Sequence, residues 1–254
     1  MTHGDVYAII DEIAPVDTQD SFDNAGFLVG DRNTELTGVL VSLDATMEAV
    51  DAAIQCGANL VVTHHPLMFS AIHTLTAEDH EAQVIAKMIR HGISLISAHT
   101  NLDKAKNGTN ETLLKVLGAE QTGGEGYLRI GKLPEGTLLS ELIRRAEKKL
   151  DTVVRVGGDA AEDRAVYILA VSTGAGSEGV MEAAAMGADV FMTGEMKHHH
   201  QIFAKAKGIA TLECGHLETE EPGIFALADA LQIRLSALQY TGCVTKHRVS
   251  RCLR

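Results

Sequence analysis

The sequence contains an internal repeat that restricts the choice of fold. Residues 39–63 align without a gap with residues 169–193, and each segment reads as a buried strand, a helix, a Gly-Ala pair and a second strand. Such strand–helix–strand units predict parallel strands joined by a crossover helix, so the repeat predicts two related α/β halves. The matched positions are Val41 with Val171, Ser42 with Ser172, Ala45 with Ala175, Glu48 with Glu178, Val50 with Val180, Ala53 with Ala183, Gly57-Ala58 with Gly187-Ala188, and Thr63 with Thr193.

The same alternation of strands and helices continues over most of the 254 residues. We therefore predict an α/β fold with mainly parallel or mixed sheets. The Gly-rich residues 121–126 are the best boundary candidate, and the third polar segment described below comes after the second repeat. The predicted domains are residues 1–124 together with 209–254, and an inserted α/β domain over residues 125–208.

Charge and composition exclude several classes of function. The net charge of -12 argues against binding duplex nucleic acid or an anionic membrane through a basic face. No run approaches 18 apolar residues and the N terminus lacks a signal-peptide segment, so we expect a cytoplasmic protein without a membrane span. The scattered cysteines predict reduced, mostly buried thiols. They are Cys56, Cys214, Cys243 and Cys252.

Three polar segments follow predicted strands at their carboxyl ends. They are residues 63–66, with His64 and His65, residues 99–103, with His99 and Asp103, and residues 215–220, with His216 and Glu220. Ligands converge at such strand ends in α/β sheets. Imidazoles and carboxylates without thiolates suit a hydrolytic metal centre, and this number of ligands is enough for two ions.

The adjacent histidines set a geometric condition on that centre. Neighbouring residues of an extended backbone point in opposite directions, so His64 and His65 reach neighbouring ions only if the chain bends after the strand. Pro66 favours the end of the strand at this point. A hydrogen-bonded core histidine is the alternative interpretation of either ring.

The other candidate residues also have structural interpretations. Asp103 in a loop after a strand is otherwise a cap or turn residue, and His99 is a ligand, a partner of a ligand, a substrate contact or a structural residue. Pro222 is typical of a first helical turn, so we predict Glu220 near a helix N terminus, where a carboxylate is favoured without any metal.

Two further motifs have weaker links to chemistry. Residues 198–200 are three successive histidines that, on a helix, cannot share one ion; one of them is a candidate for the cleft with Glu195. Residues 174–179 fit the dinucleotide pattern G-x-G-x-x-G after a strand. A tight turn without a ligand is the favoured interpretation, and an anion or a dinucleotide at this turn is the alternative.

Jointly, five segments resemble the GTP cyclohydrolase 1 type 2 homologue family, also called Nif-three-like proteins. They are residues 22–30 (FDNAGFLVG), 63–69 (THHPLMF), 98–103 (AHTNLD), 193–195 (TGE) and 215–220 (GHLETE). The resemblance implies a Nif-three-like fold of two interlocked α/β domains, a homohexamer and a dinuclear metal site. It carries the metal ligands over to His64, His65, Asp103, His216 and Glu220, with His99 nearby.

These observations predict a dinuclear metal-dependent hydrolase that acts on a small molecule, either a nucleotide or a cyclic amide. Glu220 and His99 are the predicted catalytic residues, and two divalent ions per subunit are the predicted cofactors, chosen from zinc, iron, manganese, cobalt or nickel. The alternative is a metal-binding adaptor or metallochaperone, or a nucleotide-binding regulator, without turnover.

Overall fold

The computed structural model describes residues 1–160 and 162–250. Helices alternate with strands over most of this range, as the sequence predicts. The helices are α1 (His3–Ile13), α2 (Met47–Cys56), α3 (His80–Arg90), α4 (Thr100–Lys104), α5 (Thr109–Val116), α6 (Leu139–Leu150), α7 (Val180–Ala185), α8 (His198–Ala206) and α9 (His216–Ala237). The strands are β1 (Gly26–Val29), β2 (Val39–Ser42), β3 (Leu60–Thr63), β4 (Ser94–Ser97), β5 (Glu120–Gly123), β6 (Arg129–Lys132), β7 (Arg155–Gly158), β8 (Ile168–Ser172), β9 (Val190–Thr193), β10 (Ala210–Glu213) and β11 (Val244–Lys246).

The chain divides into two compact units. The first unit contains Met1–Lys106 and the C-terminal segment that begins at Ile224, and the second unit contains Asn107–Gly223. These limits differ from the predicted boundaries at residues 124/125 and 208/209. The first boundary moves because α5 packs against β5, β6 and β8. The second moves because β10 pairs with β9 and β7.

The sheet of the first unit has the strand order β1-β4-β3-β2-β11. Strands β4, β3, β2 and β11 run parallel, and β1 pairs antiparallel with β4 at the edge. Every residue of β2, β3 and β4 is buried, which is typical of parallel strands covered on both faces. Helix α2 begins at the N-cap Thr46, whose hydroxyl accepts from the Ala49 amide, and ends at Gly57 in the left-handed conformation.

The sheet of the second unit has the strand order β5-β6-β8-β9-β10-β7. Strands β8, β9 and β10 are parallel, and the strands outside them pair antiparallel. Successive residues of β8 enter different cores, with Leu169 and Val171 on one face and Ala170 on the other. Both sheets are therefore mixed, as predicted.

The sequence repeat corresponds to a repeated supersecondary unit. Strand β2 pairs in parallel with β3, and β8 pairs in parallel with β9. The registers correspond, since Ser42 faces Thr63 in the first unit and Ser172 faces Thr193 in the second. The crossover differs, because α2 is continuous whereas a short 3-10 turn (Ser177–Gly179) precedes α7.

Helix α9 begins six residues before the position that Pro222 predicts. It starts at His216 and contains Pro222 in its interior. A proline there removes one backbone hydrogen bond, and the 22-residue helix continues past it. The prediction that Glu220 lies near a helix N terminus holds, but it falls in the second turn. Among the described helices, none has the length and apolar character that a bilayer crossing requires.

The cysteines differ in part from the prediction of mostly buried thiols. Cys56, Cys214 and Cys243 are free thiols, as predicted, but only Cys214 of these three is buried. Cys252 lies outside the described residues. Burial raises the pKa of the Cys214 thiol to about 12, with smaller contributions from nearby carboxylates, so this thiol is unreactive.

Candidate metal centre

Three histidine side chains lie together in the first unit. His64 and His65 follow β3 directly, and their backbone amides both donate to the Leu43 carbonyl, at 3.1 and 3.0 Å. The chain bends there, and the two imidazole centroids lie 5.0 Å apart. The His99 ring, just before α4, lies 5.1 Å from His64 and 5.6 Å from His65. One nitrogen from each ring lies within 4.8 Å of the others, so the three could hold a metal ion.

Asp103 lies beside this group. The sequence predicts it in a loop, but it belongs to the short helix α4, where its amide donates to the His99 carbonyl at 3.0 Å. Its side chain is buried, and Oδ1 lies 3.5 Å from His64 Nε2. The single turn of α4 thus brings a carboxylate to the predicted histidine.

Each of these three histidines uses Nδ1 for a hydrogen bond away from the group. His64 Nδ1 donates to the Ala98 carbonyl at 2.8 Å, because a carbonyl oxygen can only accept. His65 Nδ1 lies 2.7 Å from Asp44 Oδ1, and His99 Nδ1 lies 2.8 Å from Asp23 Oδ1. This arrangement keeps the proton on Nδ1 and presents Nε2 as the ligand atom, which is how metal-binding histidines are usually held.

The pKa of the Asp23 carboxyl is strongly lowered. Its side chain is buried, and it also accepts the Thr100 amide at 3.0 Å and the Thr100 hydroxyl. Burial by itself would raise the pKa of Asp23, but hydrogen bonds from His99 and Thr100 outweigh it and hold this pKa well below its usual range. Asp23 therefore remains ionised and joins the His99 ring to the first turn of α4.

The second unit contains a smaller group around the start of α9. His216 and Glu220 are four residues apart on one helix face, and His216 Nε2 lies 3.2 Å from Glu220 Oε2. His216 Nδ1 lies 2.7 Å from Glu195 Oε1. The Glu220 side chain is buried, whereas Glu195 is exposed. His216 is thus held in the same way as the histidines of the first unit.

Two of these contacts bring acceptor atoms face to face. With the proton on Nδ1, the Nε2 atoms of His64 and His216 carry lone pairs that face carboxylate oxygens of Asp103 and Glu220. In each pair, a cation next to the nitrogen and the oxygen removes the repulsion between these two atoms. Nitrogen and oxygen ligands of this type suit zinc, iron, manganese, cobalt and nickel, so the residues of each unit fit the predicted cofactor.

Glycines make room for the group in the second unit. A side chain at Gly174, which has a φ of 59°, would collide with Glu220 Oε1 and approach His216 Nε2 to 3.0 Å. A side chain at Gly194 would lie 2.7 Å from the His216 Cα atom. Gly174 opens the G-x-G-x-x-G motif, so close packing around α9 accounts for this glycine, in keeping with the favoured interpretation of a tight turn.

The three successive histidines do not act as a group. His198 and His199 are exposed, whereas His200 is buried with Nδ1 3.0 Å from the Ser177 hydroxyl. Burial, with a smaller contribution from His199, lowers the pKa of His200. His200 therefore supports the turn before α7, and Glu195 contacts His216 instead.

The structure thus brings the predicted site residues together within each unit: His64, His65, His99 and Asp103 in the first, and His216 and Glu220 in the second. The sequence predictions give Asp44 no role and name Asp23 only as part of a motif, whereas they name Glu195 both in a motif and as a cleft residue. One signal for Asp44 was available: it lies two residues after the first strand of the repeat, where the second copy of the repeat has Gly174.

The comparison with a family model identifies the relationship. The model described as Duf34/NIF3 (NGG1p interacting factor 3) matches residues 1–249. The chain belongs to the Duf34/NIF3 family. Two family relatives named GTP cyclohydrolase 1 type 2 homolog come from Clostridium acetobutylicum and Clostridium perfringens. They are 31% and 32% identical to this chain over 90% and 93% of its length, and the matches cover 88% and 94% of the relatives.

Comparison with solved structures identifies the same fold. Staphylococcus aureus protein SA1388 matches with a TM-score of 0.88 and 25% identity, over 100% of this chain and 98% of that one. A Bacillus cereus protein related to NIF3 matches with a TM-score of 0.87 and 22% identity, over 99% of this chain and 97% of that one. The predicted family and fold class are confirmed.

Proposed function

We propose that the chain is a metal-dependent hydrolase with a dinuclear site. The proposed ligands are His64, His65, Asp103, His216 and Glu220, and the proposed cofactors are two divalent ions per subunit. One observation carries the proposal: in His64, His65, His99 and His216 alike, Nδ1 is held by a carbonyl or carboxylate oxygen. Structural core histidines have no common reason to present the same nitrogen.

When bound, two divalent cations lower the pKa of water and polarise the bond that is to be cleaved. The chain's own groups then handle protons. Glu220, whose carboxylate is buried, accepts the proton of the attacking water and later releases it to solvent. His99, oriented by Asp23 through Nδ1, takes up a proton from solvent at Nε2, and the resulting imidazolium delivers that proton to the leaving nitrogen.

The proposed substrate is a nucleotide or a cyclic amide. The relatives' name, GTP cyclohydrolase 1 type 2 homolog, supports this choice. In both substrate types the reaction is the same in outline: water oxygen bonds to the ring carbon, the carbon–nitrogen bond breaks, and nitrogen takes up a proton. We also propose a cytoplasmic homohexamer, on the basis of the family resemblance; light scattering of the purified protein measures the subunit number.

Metal analysis followed by a hydrolase screen tests the proposal. Untagged protein is analysed for zinc, iron, manganese, cobalt and nickel, and then assayed with nucleotides, phosphoesters and cyclic amides. We expect two ions per subunit and hydrolysis that Glu220→Gln abolishes. Glu182→Gln is the matched control, because Glu182 is an exposed carboxylate on α7.

The results also separate the alternative functions. Two ions per subunit without hydrolysis of any compound would contradict a hydrolase and favour the metal-binding adaptor. Protein that stays metal-free when divalent salts are supplied would contradict both. Nucleotide binding by the metal-free protein without turnover would favour the regulator.

A further inference from the structure

Two exposed phenylalanine rings lie next to the histidine group of the first unit. Phe22 is 63% exposed and Phe69 is 51% exposed. Their ring centroids lie 6.4 Å apart with an interplanar angle of 63°. Phe69 is also 6.0 Å from the His99 ring, at 88°. Phe22, Phe69 and His99 thus form a continuous row of rings that ends at His64 and His65.

The fold holds this pair in place. Phe22 directly precedes Asp23, whose carboxylate binds His99 and Thr100. The Asn24 side-chain amide donates to the Met68 carbonyl at 2.7 Å, which joins the segment of Phe22 to the residue before Phe69. A hydrogen bond therefore anchors the backbone next to each of the two exposed rings.

Phe22 and Phe69 are more exposed than the other phenylalanines. The other phenylalanines among the described residues are buried or half-buried: Phe27, Phe191, Phe203 and Phe225. Burying an aromatic ring contributes more apolar area than almost any other side chain, so two anchored rings left in water favour a ligand that covers them.

We propose that Phe22 and Phe69 bind the planar ring of the substrate by stacking, with a bicyclic, purine-type heterocycle as the ligand. The proposal rests on the proposed function and names the substrate class of the same site. A stacked ring on Phe69 lies beside His99, the proposed proton donor, so the pair places the ring where its bonds meet the catalytic groups.

Charge also favours an uncharged ring at this position. Asp23 and Asp44 lie within hydrogen-bond distance of His99 and His65, the histidines next to the pair, and the chain carries a net charge of -12. An anionic group at the pair would be repelled, whereas the faces of a neutral heterocycle stack on phenylalanine without a charge penalty. Because the two rings are inclined at 63°, a planar ligand that stacks on one ring meets the edge of the other.

Binding of GMP and of ribose 5-phosphate to the full chain tests the proposal, because the two probes share the sugar phosphate and differ in the ring. Titration calorimetry is done with metal-loaded and with metal-free protein. We expect GMP to bind more tightly than ribose 5-phosphate, and both Phe22→Leu and Phe69→Leu to weaken GMP binding on the order of tenfold. Tyr167→Leu, which removes another exposed ring, should leave GMP binding unchanged.

Several results would overturn the inference. They are absence of GMP binding, equal affinities for the two probes, or leucine variants that bind GMP like the wild type. Leucine variants that change the subunit number while binding GMP normally would show that the pair is an interface between copies of the chain.

The outcome is distinguishable from failure of the proposed function. Metal content is measured on the same variants, and we expect it to equal that of the wild type. If the protein binds metal and hydrolyses substrate, but its GMP affinity is the same in both leucine variants as in the wild type, only the stacking inference is overturned. If the leucine variants weaken GMP binding but the protein takes up no metal, only the proposal of a metal-dependent hydrolase is overturned.

Discussion

His65 Nδ1 lies 2.7 Å from Asp44 Oδ1. Asp44 is the second residue after β2 and His65 is the second residue after β3, so a carboxylate at the end of one strand orients a histidine at the end of the next. Strands β2 and β3 are parallel neighbours, and their carboxyl ends are therefore adjacent. The pair is half-exposed, so its value lies in fixing which nitrogen faces the ligand group more than in stabilising the fold.

Removal of the Asp44 carboxylate should weaken metal binding. We expect Asp44→Ala to lower metal affinity by about 10- to 100-fold, because the His65 ring loses the acceptor that orients it. Asp44→Asn should lose less, since its amide oxygen can still accept. A competition titration with a chelator measures the affinity. The control is Asp51→Asn, which removes a surface partner of Lys87; equal affinities in Asp44→Ala and this control would contradict the prediction.

Substitution of Asp23 should loosen the start of α4. Asp23→Asn places an amide nitrogen against groups that donate, so we expect the free energy of unfolding to fall by about 1–3 kcal/mol. Hydrogen exchange of the Thr100 amide, which donates to Asp23 Oδ2, should become faster.

Asp20→Asn provides the comparison for Asp23. It removes the charge from an ion pair with Lys104 at the other end of the same short helix, where partial exposure limits the loss to about 0–1 kcal/mol. If both variants protect the Thr100 amide as well as the wild type does, Asp23 does not hold α4.

Addition of one methyl group at Gly174 should disturb the proposed metal ligands of the second unit. Gly174→Ala forces Cβ into Glu220 Oε1, so we expect loss of metal affinity in addition to lower stability. Gly187→Ala is a close control, because Gly187 also has a positive φ, 76°, but its Cβ would meet no atom within 4 Å. In both variants the positive φ lowers the free energy of unfolding by about 1–2 kcal/mol. Metal affinity that falls equally in the two would refute the role given to Gly174.

The Glu111–Arg129 pair should make the stability of the second unit depend on pH. Burial opposes ionisation of Glu111, but hydrogen bonds from the Asn107 amide, Gln121 and Arg129 outweigh it and lower the pKa of Glu111 below 4.5. A lowered folded-state pKa means that the stabilisation is complete above the unfolded-state value and is lost as the pH falls through the folded-state value.

Glu111→Gln tests this expectation. At pH 7 the variant removes the charge of Glu111 from its ion pair with the nearly buried Arg129, and we expect a loss of about 1–3 kcal/mol in the free energy of unfolding. The difference from wild type should shrink as the pH falls below the ordinary glutamate range, because the unfolded wild-type chain then binds a proton that folded Glu111, with its lowered pKa, takes up only at a lower pH. Urea unfolding at pH 7 and at pH 3 measures both differences; a constant difference would exclude the mechanism.

Much of the fold could be predicted because local patterns and the repeat agree. Largely apolar segments of four or five residues, each ending in Ser or Thr, correspond to β2, β3, β8 and β9, and the repeat predicts their parallel pairing. The domain boundaries could not be placed as well, because a boundary depends on which sheet an element packs against. Nothing local in α5 indicates that it joins β6 and β8.

The position of α9 shows a second limit. Pro222 is a reliable signal for a first turn, yet the helix begins at His216, one residue after Gly215 with its positive φ of 90°. A lost backbone hydrogen bond is a local cost, and contacts made by the whole helix override it. That shift puts His216 and Glu220 on one helix face, where their side chains meet.

By itself, the sequence determined the alternation of strands and helices, the duplicated unit and the positions of histidines and carboxylates after strand ends, because these follow from periodicity and residue chemistry. Only the tertiary structure decided which nitrogen each imidazole presents. That choice depends on acceptors far away along the chain, such as Asp44 for His65 and Asp23 for His99. Hydrogen bonds between such distant residues arise from sheet pairing and loop packing, and no local pattern encodes them.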